Sequence, residues 1–277
     1  QGLKHLRLKN WAPFALPARE LDAIVLTHAH IDHSGYLPPL VRQGFRGPVY
    51  CTQATADLCA IMLPDSGHLQ EEDAAYANRH GFSKHDPALP LYTEEDARRA
   101  LPLLSPRAFG ESFEVVPGIR ARFNLAGHIL GAASAHITWD GGSILFSGDL
   151  GRNDDLLMLP PEPPTVADYV VMESTYGDRS HGDEDPETIV AEAINRTAAR
   201  GGVVIVPAFA VGRAQTLMYI AARLKHDKRI PDVPLFLNSP MAADVTELYH
   251  RHRSLHRLSS SECRLMGETV KVVKSVE

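Results

Sequence analysis

Thr27-His28-Ala29-His30-Ile31-Asp32-His33 is the stretch on which the reading of this chain turns. It follows directly on an apolar run, Ala23-Ile24-Val25-Leu26, which is short and β-branched and reads as a buried strand. The histidines and the aspartate then fall on the loop that leaves the strand's end. Side chains on an extended backbone alternate between faces, so His28 and His30 point the same way and can chelate one ion. Asp32 and His33 come after the chain has begun to turn, which lets them face a second ion beside the first. Imidazole with some carboxylate is a zinc-type ligand set, and one closed site needs only four ligands. A polar loop that is merely rich in histidine is the plain alternative, and four ligand-type residues in this order speak against it.

Two more ligand-type residues sit at later strand ends. His128 lies in Ala126-Gly127-His128-Ile129-Leu130-Gly131, and Asp149 in Phe146-Ser147-Gly148-Asp149-Leu150-Gly151. Each stands beside glycine, which lets the backbone turn sharply and approach an ion closely. Alone, either is an ordinary turn residue. With the first cluster they complete a dinuclear arrangement. His68, His80 and His85 fall in an intervening segment and read as exposed or satisfied histidines.

Around these residues the pattern is mixed. Ser34 caps a helix to about Gln43, a strand covers Pro48–Cys51, and helices follow over 54–63, 69–80 and 93–104. Short strands are expected at 113–116, 119–125, 134–139 and 143–146, with Asp140-Gly141 as a hairpin signal. A strand over Tyr169–Glu173 leads into Ser174-Thr175-Tyr176-Gly177. Helices over 186–200, 213–225 and 241–252 then alternate with strands over 203–206, 234–237 and 269–273, as in a parallel sheet with covering helices. Ser239 before Pro240 reads as a helix N-cap, a terminus that can also bind phosphate. Arg213 is a phosphate contact or simply an exposed helix arginine, and Glu173 on its own is a strand-end glutamate.

The chain has 277 residues, is 44% hydrophobic and 22% charged, and carries a net charge of −6. That composition is expected of a soluble globular protein of one large or two ordinary domains. It has no polybasic tract, which weighs mildly against a nucleic-acid partner unless bound cations supply the positive charge. Cys51, Cys59 and Cys263 make neither a disulfide framework nor a CxxC pair and read as buried thiols of a reducing cytosol. No apolar run is long enough to span a membrane.

The His-x-His-x-Asp-His pattern after a buried strand resembles the signature of the metallo-β-lactamase superfamily in full. Glu173-Ser-Thr-Tyr-Gly177, the segment from Pro207 to Gln215, and Asn238-Ser239-Pro240-Met241 resemble motifs of its β-CASP branch of RNA-processing nucleases. The resemblance covers essentially the whole chain. It implies an α/β fold: a metallo-β-lactamase αββα sandwich over residues 1–178, lacking its N-terminal strands, with part of an inserted β-CASP domain over residues 179–277. It implies two zinc ions, one on His28, His30 and His128, the other on Asp32 and His33, with Asp149 bridging. The family's second zinc takes a further histidine near the end of the complete protein. His226, His250, His252 and His256 do not match that motif, so the chain reads as a fragment lacking both termini.

The implied activity is hydrolysis of phosphodiester bonds in single-stranded RNA through a metal-bridged hydroxide. In it, Asp32 orients the nucleophile, and Glu173 orients a histidine that protonates the leaving group. Arg213 and Ser239 bind the substrate. Cytoplasmic localisation, no membrane association and an optional homodimer complete this reading. A small-molecule metallohydrolase of the thioesterase or lactonase type fits the zinc loop equally but not the second α/β domain. A non-catalytic RNA-binding member of the superfamily is the third reading; intact ligand positions argue against it for the complete protein, though not for this fragment.

Overall fold

In the computed structural model, which describes residues 4–12, 14–179, 182 and 184–273, the apolar run ahead of the histidines forms Ile24–Val25 (β1). After it come Ile31–Ser34 (α1), Leu37–Arg42 (α2), Val49–Cys51 (β2), Gln53–His80 (α3), Glu94–Ala100 (α4) and Leu104–Pro106 (β3). A second run of strands is formed by Ser112–Val116 (β4), Ile119–Leu125 (β5), Ala133–Trp139 (β6), Gly142–Phe146 (β7) and Tyr169–Val171 (β8). β1, β2 and β3 make a parallel sheet in that order, and β4 to β8 a second sheet in which only the β7–β8 pairing is parallel. The alternation of β6 explains how the sheets meet. Ala133, Ala135 and Ile137 share one face and pack with Phe123 of β5 against Tyr50 of β2 and Val25 of β1. Phe123 is fully buried there, a contribution of about 1.5–3 kcal/mol.

Contacts divide the chain into two compact units. The first holds the residues up to Arg152 and Pro160–Glu173; the second holds Asn153–Leu159 and the residues from Ser174 onward. The second unit contains Pro186–Ala198 (α5), Arg213–His226 (α6), Leu235–Leu237 (β9), Pro240–Arg251 (α7), Ser260–Thr269 (α8) and Val270–Val272 (β10). β9 and β10 pair in parallel, and Ala191, Ile194, Ile220, Leu224 and Ile230 form its apolar centre with Leu156 at the edge. Arg257 fixes the borrowed segment by donating from its side chain to the carbonyls of Met158 at 2.8 Å and Asn153 at 2.7 Å.

Several local expectations are corrected. The helices expected over 54–63 and 69–80 are one helix, α3, which runs through Pro64. Proline removes one backbone bond and crowds the preceding turn, yet tertiary packing holds the helix. Gly67 lies so near α4 that an added Cβ would come 2.7 Å from Thr93 and Glu94 backbone atoms. The helix expected over 93–104 ends as an α-helix at Ala100, continues as a 3-10 turn over Leu101–Leu103, and gives way to β3 at Leu104. Ser34 caps no helix: its hydroxyl donates back to the carbonyls of Ala29 at 2.8 Å and His30 at 3.1 Å. Val203–Val206 makes no ladder among the described residues, and Val203 and Ile205 are 84% and 86% exposed. α8, which no strand or helix expectation covered, packs Cys263 and Met266 inward. Among the described residues no helix is long and apolar enough to cross a membrane.

Candidate metal centre

Three loops carry the ligand-type side chains, and backbone bonds stitch them together. Leu26 N–H donates to the Tyr50 carbonyl at 2.8 Å, prolonging β1, and Ala133 N–H donates to the Thr27 carbonyl at 2.9 Å, tying the histidine loop to β6. The His128 loop closes on itself through Ala126 and Ala132 at 3.0 Å. Thr52 and Thr55, at the start of α3, donate their hydroxyls to the Gly131 carbonyl at 2.7 and 3.0 Å. The Asp149 loop joins through Gly151 N–H to the Ala126 carbonyl at 2.8 Å. At Gly151 an added Cβ would stand 1.9 Å from the Gly127 carbonyl oxygen, so only glycine admits this approach. Gly148, at φ +56°, makes the turn that aims Asp149 inward.

His28, His30, His128 and Asp149 bring one ligand atom each to within 4.8 Å of one another. Asp149 divides its carboxylate: Oδ2 lies 3.6 Å from His28 Nε2 and 3.5 Å from His128 Nε2, while Oδ1 lies 3.1 Å from His33 Nε2. His33 Nε2 is in turn 3.6 Å from Asp32 Oδ2. Asp32 stands in the first turn of α1 with its side chain 71% exposed, at the open side of the group. His128 Nε2 and His30 Nδ1 are 3.2 Å apart.

The electrostatics favour neutral imidazoles. Burial, reinforced by His33, His30 and His128, pushes His28 down to about 2. Burial lowers His30, with His128 acting in the same direction, and lowers His128 against the opposing charges of Asp149 and Glu173. Neutral imidazole is the form that ligates a metal. His28 Nε2 is buried without a hydrogen-bond partner, since Asp149 at 3.6 Å is too far to serve as one. Such an atom costs about 1–3 kcal/mol. A cation at the meeting point of these donors removes that cost, so the residues fit a bound zinc-type ion.

Glu173 follows β8. Its Oε1 accepts from Leu150 N–H at 2.9 Å, and its own N–H donates to Ser147 Oγ at 3.0 Å. Ser147, unmarked by any motif reading, thus ties Glu173 to the loop of Asp149. The other expected site residues belong to the second unit. Arg213 opens α6 and is exposed; Ser239 caps α7 by accepting from Ala242 N–H at 3.1 Å. Fully buried Gln215 joins these helix starts: Oε1 accepts from Gly212 N–H at 2.8 Å, and Nε2 lies within 3.2 Å of the Ala210 and Ala242 carbonyls. The signal for it was the third position of a helix, where Gln reaches back to the capping residue. His68, His80, His85 and His226 are exposed, whereas His256 is buried and lies 2.8 Å from the Tyr249 carbonyl.

Comparison with known proteins gives matches over both units. The profile of the Metallo-beta-lactamase superfamily matches residues 11–191 and that of the Beta-Casp domain residues 214–277. A ribonuclease of Thermus thermophilus is 38% identical over 253 residues, 91% of this chain and 53% of its own length. The transcription termination factor FttA of Methanosarcina mazei is 32% identical, over 87% of this chain and 37% of its own. Its counterpart in Methanothermobacter thermautotrophicus is 35% identical over 79% and 33%. The chain therefore spans about half the length, or less, of these relatives.

Proposed function

Since this chain belongs to the metallo-β-lactamase superfamily, in its β-CASP branch, we propose that it is part of a zinc-dependent ribonuclease that hydrolyses phosphodiester bonds of single-stranded RNA. The observation that carries the reading is the divided Asp149 carboxylate, with His28 and His128 on one oxygen and His33 on the other. In this proposal His28, His30 and His128 hold one zinc, Asp32 and His33 the second, and Asp149 both. Bound zinc lowers the pKa of water and offsets the charge that builds on phosphate oxygens. Asp32, at the exposed side, accepts a hydrogen bond from the nucleophile and orients it. Glu173, fixed by Leu150 N–H and Ser147, assists proton transfer to the leaving oxygen. The amino-terminal end of α7 at Ser239 and the guanidinium of Arg213 bind backbone phosphates. Three free, buried cysteines support a reducing, cytoplasmic setting.

A ribonuclease of Thermus among the relatives favours RNA over a small-molecule substrate. The test is hydrolysis by the full-length zinc-loaded protein of labelled single-stranded RNA, a thioester and a lactone. Cleavage of the RNA alone is expected. Thioester or lactone turnover without RNA cleavage would move the activity to a small-molecule hydrolase.

A further inference from the structure

Thr27, the residue before the first histidine, touches the metal centre without being one of its ligands. Its hydroxyl oxygen lies 3.2 Å from His28 Nδ1, while Nε2 across the ring faces Asp149 Oδ2 at 3.6 Å. The threonine is held at its backbone and at its side chain. Its carbonyl accepts from Ala133 N–H at 2.9 Å, and a Cβ added at Gly148 would stand 2.9 Å from Thr27 Cβ and 3.0 Å from Oγ1. Gly148 precedes Asp149, so the turn that aims the aspartate is seated on the same side chain. Branching at Cβ restricts rotation of that side chain, which gives the hydroxyl a set place between His28 and the Asp149 loop.

His28 is fully buried, so its ring nitrogens find their partners inside the protein. Neutral imidazole carries one N–H and one lone pair, on different nitrogens. With the proton on Nε2, an N–H points into the group of ligand atoms, and that nitrogen cannot bind an ion. With the proton on Nδ1, the Nε2 lone pair faces the group and the N–H needs an acceptor, which Thr27 Oγ1 supplies. A hydroxyl both donates and accepts, so it serves either tautomer of the free protein. An ion on Nε2 leaves only the second. Acceptors at the far nitrogen of a ligating histidine fix the ring and raise the affinity of the site.

We propose that Thr27 is a positioning residue of the metal centre: its hydroxyl oxygen accepts from His28 Nδ1–H and holds the ring in the tautomer that offers Nε2 to zinc. This rests on the zinc-centre reading and not on the RNA substrate. The role belongs to the hydroxyl. Valine keeps the shape of threonine without the acceptor, and serine keeps the acceptor without the methyl group, so the two substitutions separate hydrogen bonding from packing against Gly148.

The test is zinc binding by the full-length protein, with zinc ion alone as the probe in competition with a coloured chelator. Thr27→Val is expected to bind zinc about 10- to 100-fold more weakly, and Thr27→Ser to stay within about threefold of wild type. In zinc-loaded wild type carrying isotope-labelled histidine, the magnetic-resonance signal of His28, identified by its loss in His28→Gln, is expected to show the proton on Nδ1. Wild-type affinity in Thr27→Val overturns the proposal. So does an equal loss in Thr27→Ser, which marks a merely structural role. A proton on Nε2 of His28 in the zinc-loaded protein overturns it too, and that result needs no variant at position 27. A wild type that binds no zinc removes the zinc-centre reading itself, an outcome distinct from a wild type that binds zinc as tightly as Thr27→Val.

Discussion

Acidification of the metal-stripped protein is expected to unfold it through its own histidines. His28 is fully buried and held down to about 2, whereas an unfolded chain returns it to 6.5. Below 6.5 the unfolded state therefore binds a proton that the folded state refuses, so stability is full above that pH and falls as pH drops through it. Between pH 7.5 and 5.5 His28 alone costs about 1.4 kcal/mol, and each further pH unit about as much again. His30 and His128, lowered for the same first reason of burial, add in the same direction. The assay is urea unfolding of chelator-treated protein across this range, for wild type and His28→Gln. Wild type should lose stability steeply and the variant by at least about 1 kcal/mol less over the same interval. Equal pH slopes for the two proteins would refute the claim that a neutral, buried His28 underlies the centre.

Other expectations follow from the same geometry. Gly151→Ala drives a methyl group into the Gly127 carbonyl, so we expect a loss of about 1–3 kcal/mol in urea unfolding and weaker zinc retention as the His128 and Asp149 loops part. Glu173→Gln should keep its zinc and slow single-turnover RNA cleavage by about a hundred- to ten-thousand-fold, whereas Asp32→Ala should lose metal and turnover together; a Glu173→Gln enzyme of ordinary rate would reduce that residue to a strand-end glutamate. Gln215→Leu leaves the Gly212 N–H and two carbonyls without their partner, and should destabilise the protein by about 1–3 kcal/mol with zinc content unchanged; a loss of zinc would contradict the separate role given to it.

What could be read beforehand was what local sequence determines. The β-branched run before His28, the hairpin at Asp140-Gly141 and the Ser239-Pro240 start of α7 each depend on a few neighbouring residues, and each has the expected element. His28, His30, His128 and Asp149, which the family resemblance set around shared ions, bring one ligand atom each close together in the structure. What escaped depends on distant packing. Pro64 reads as a break, but α3 continues because its neighbours, with Gly67 seated on the Thr93–Glu94 backbone, hold it in place. Val203–Val206 has the composition of a strand, yet a ladder needs a partner as well as a propensity. Ser147 bonds to Glu173 and Gln215 to Ala242 across 26 and 27 residues, and no spacing rule gives such long-range partners.

Zinc content and RNA cleavage, measured on the same preparations of full-length wild type and Asp149→Ala, test the central claim most directly. Asp149 places one oxygen beside His28 and His128 and the other beside His33. We expect about two zinc ions per wild-type chain with cleavage of single-stranded RNA, and in the variant a loss of zinc together with cleavage. An Asp149→Ala protein that keeps its zinc, or that cleaves RNA at the wild-type rate without it, would contradict the account.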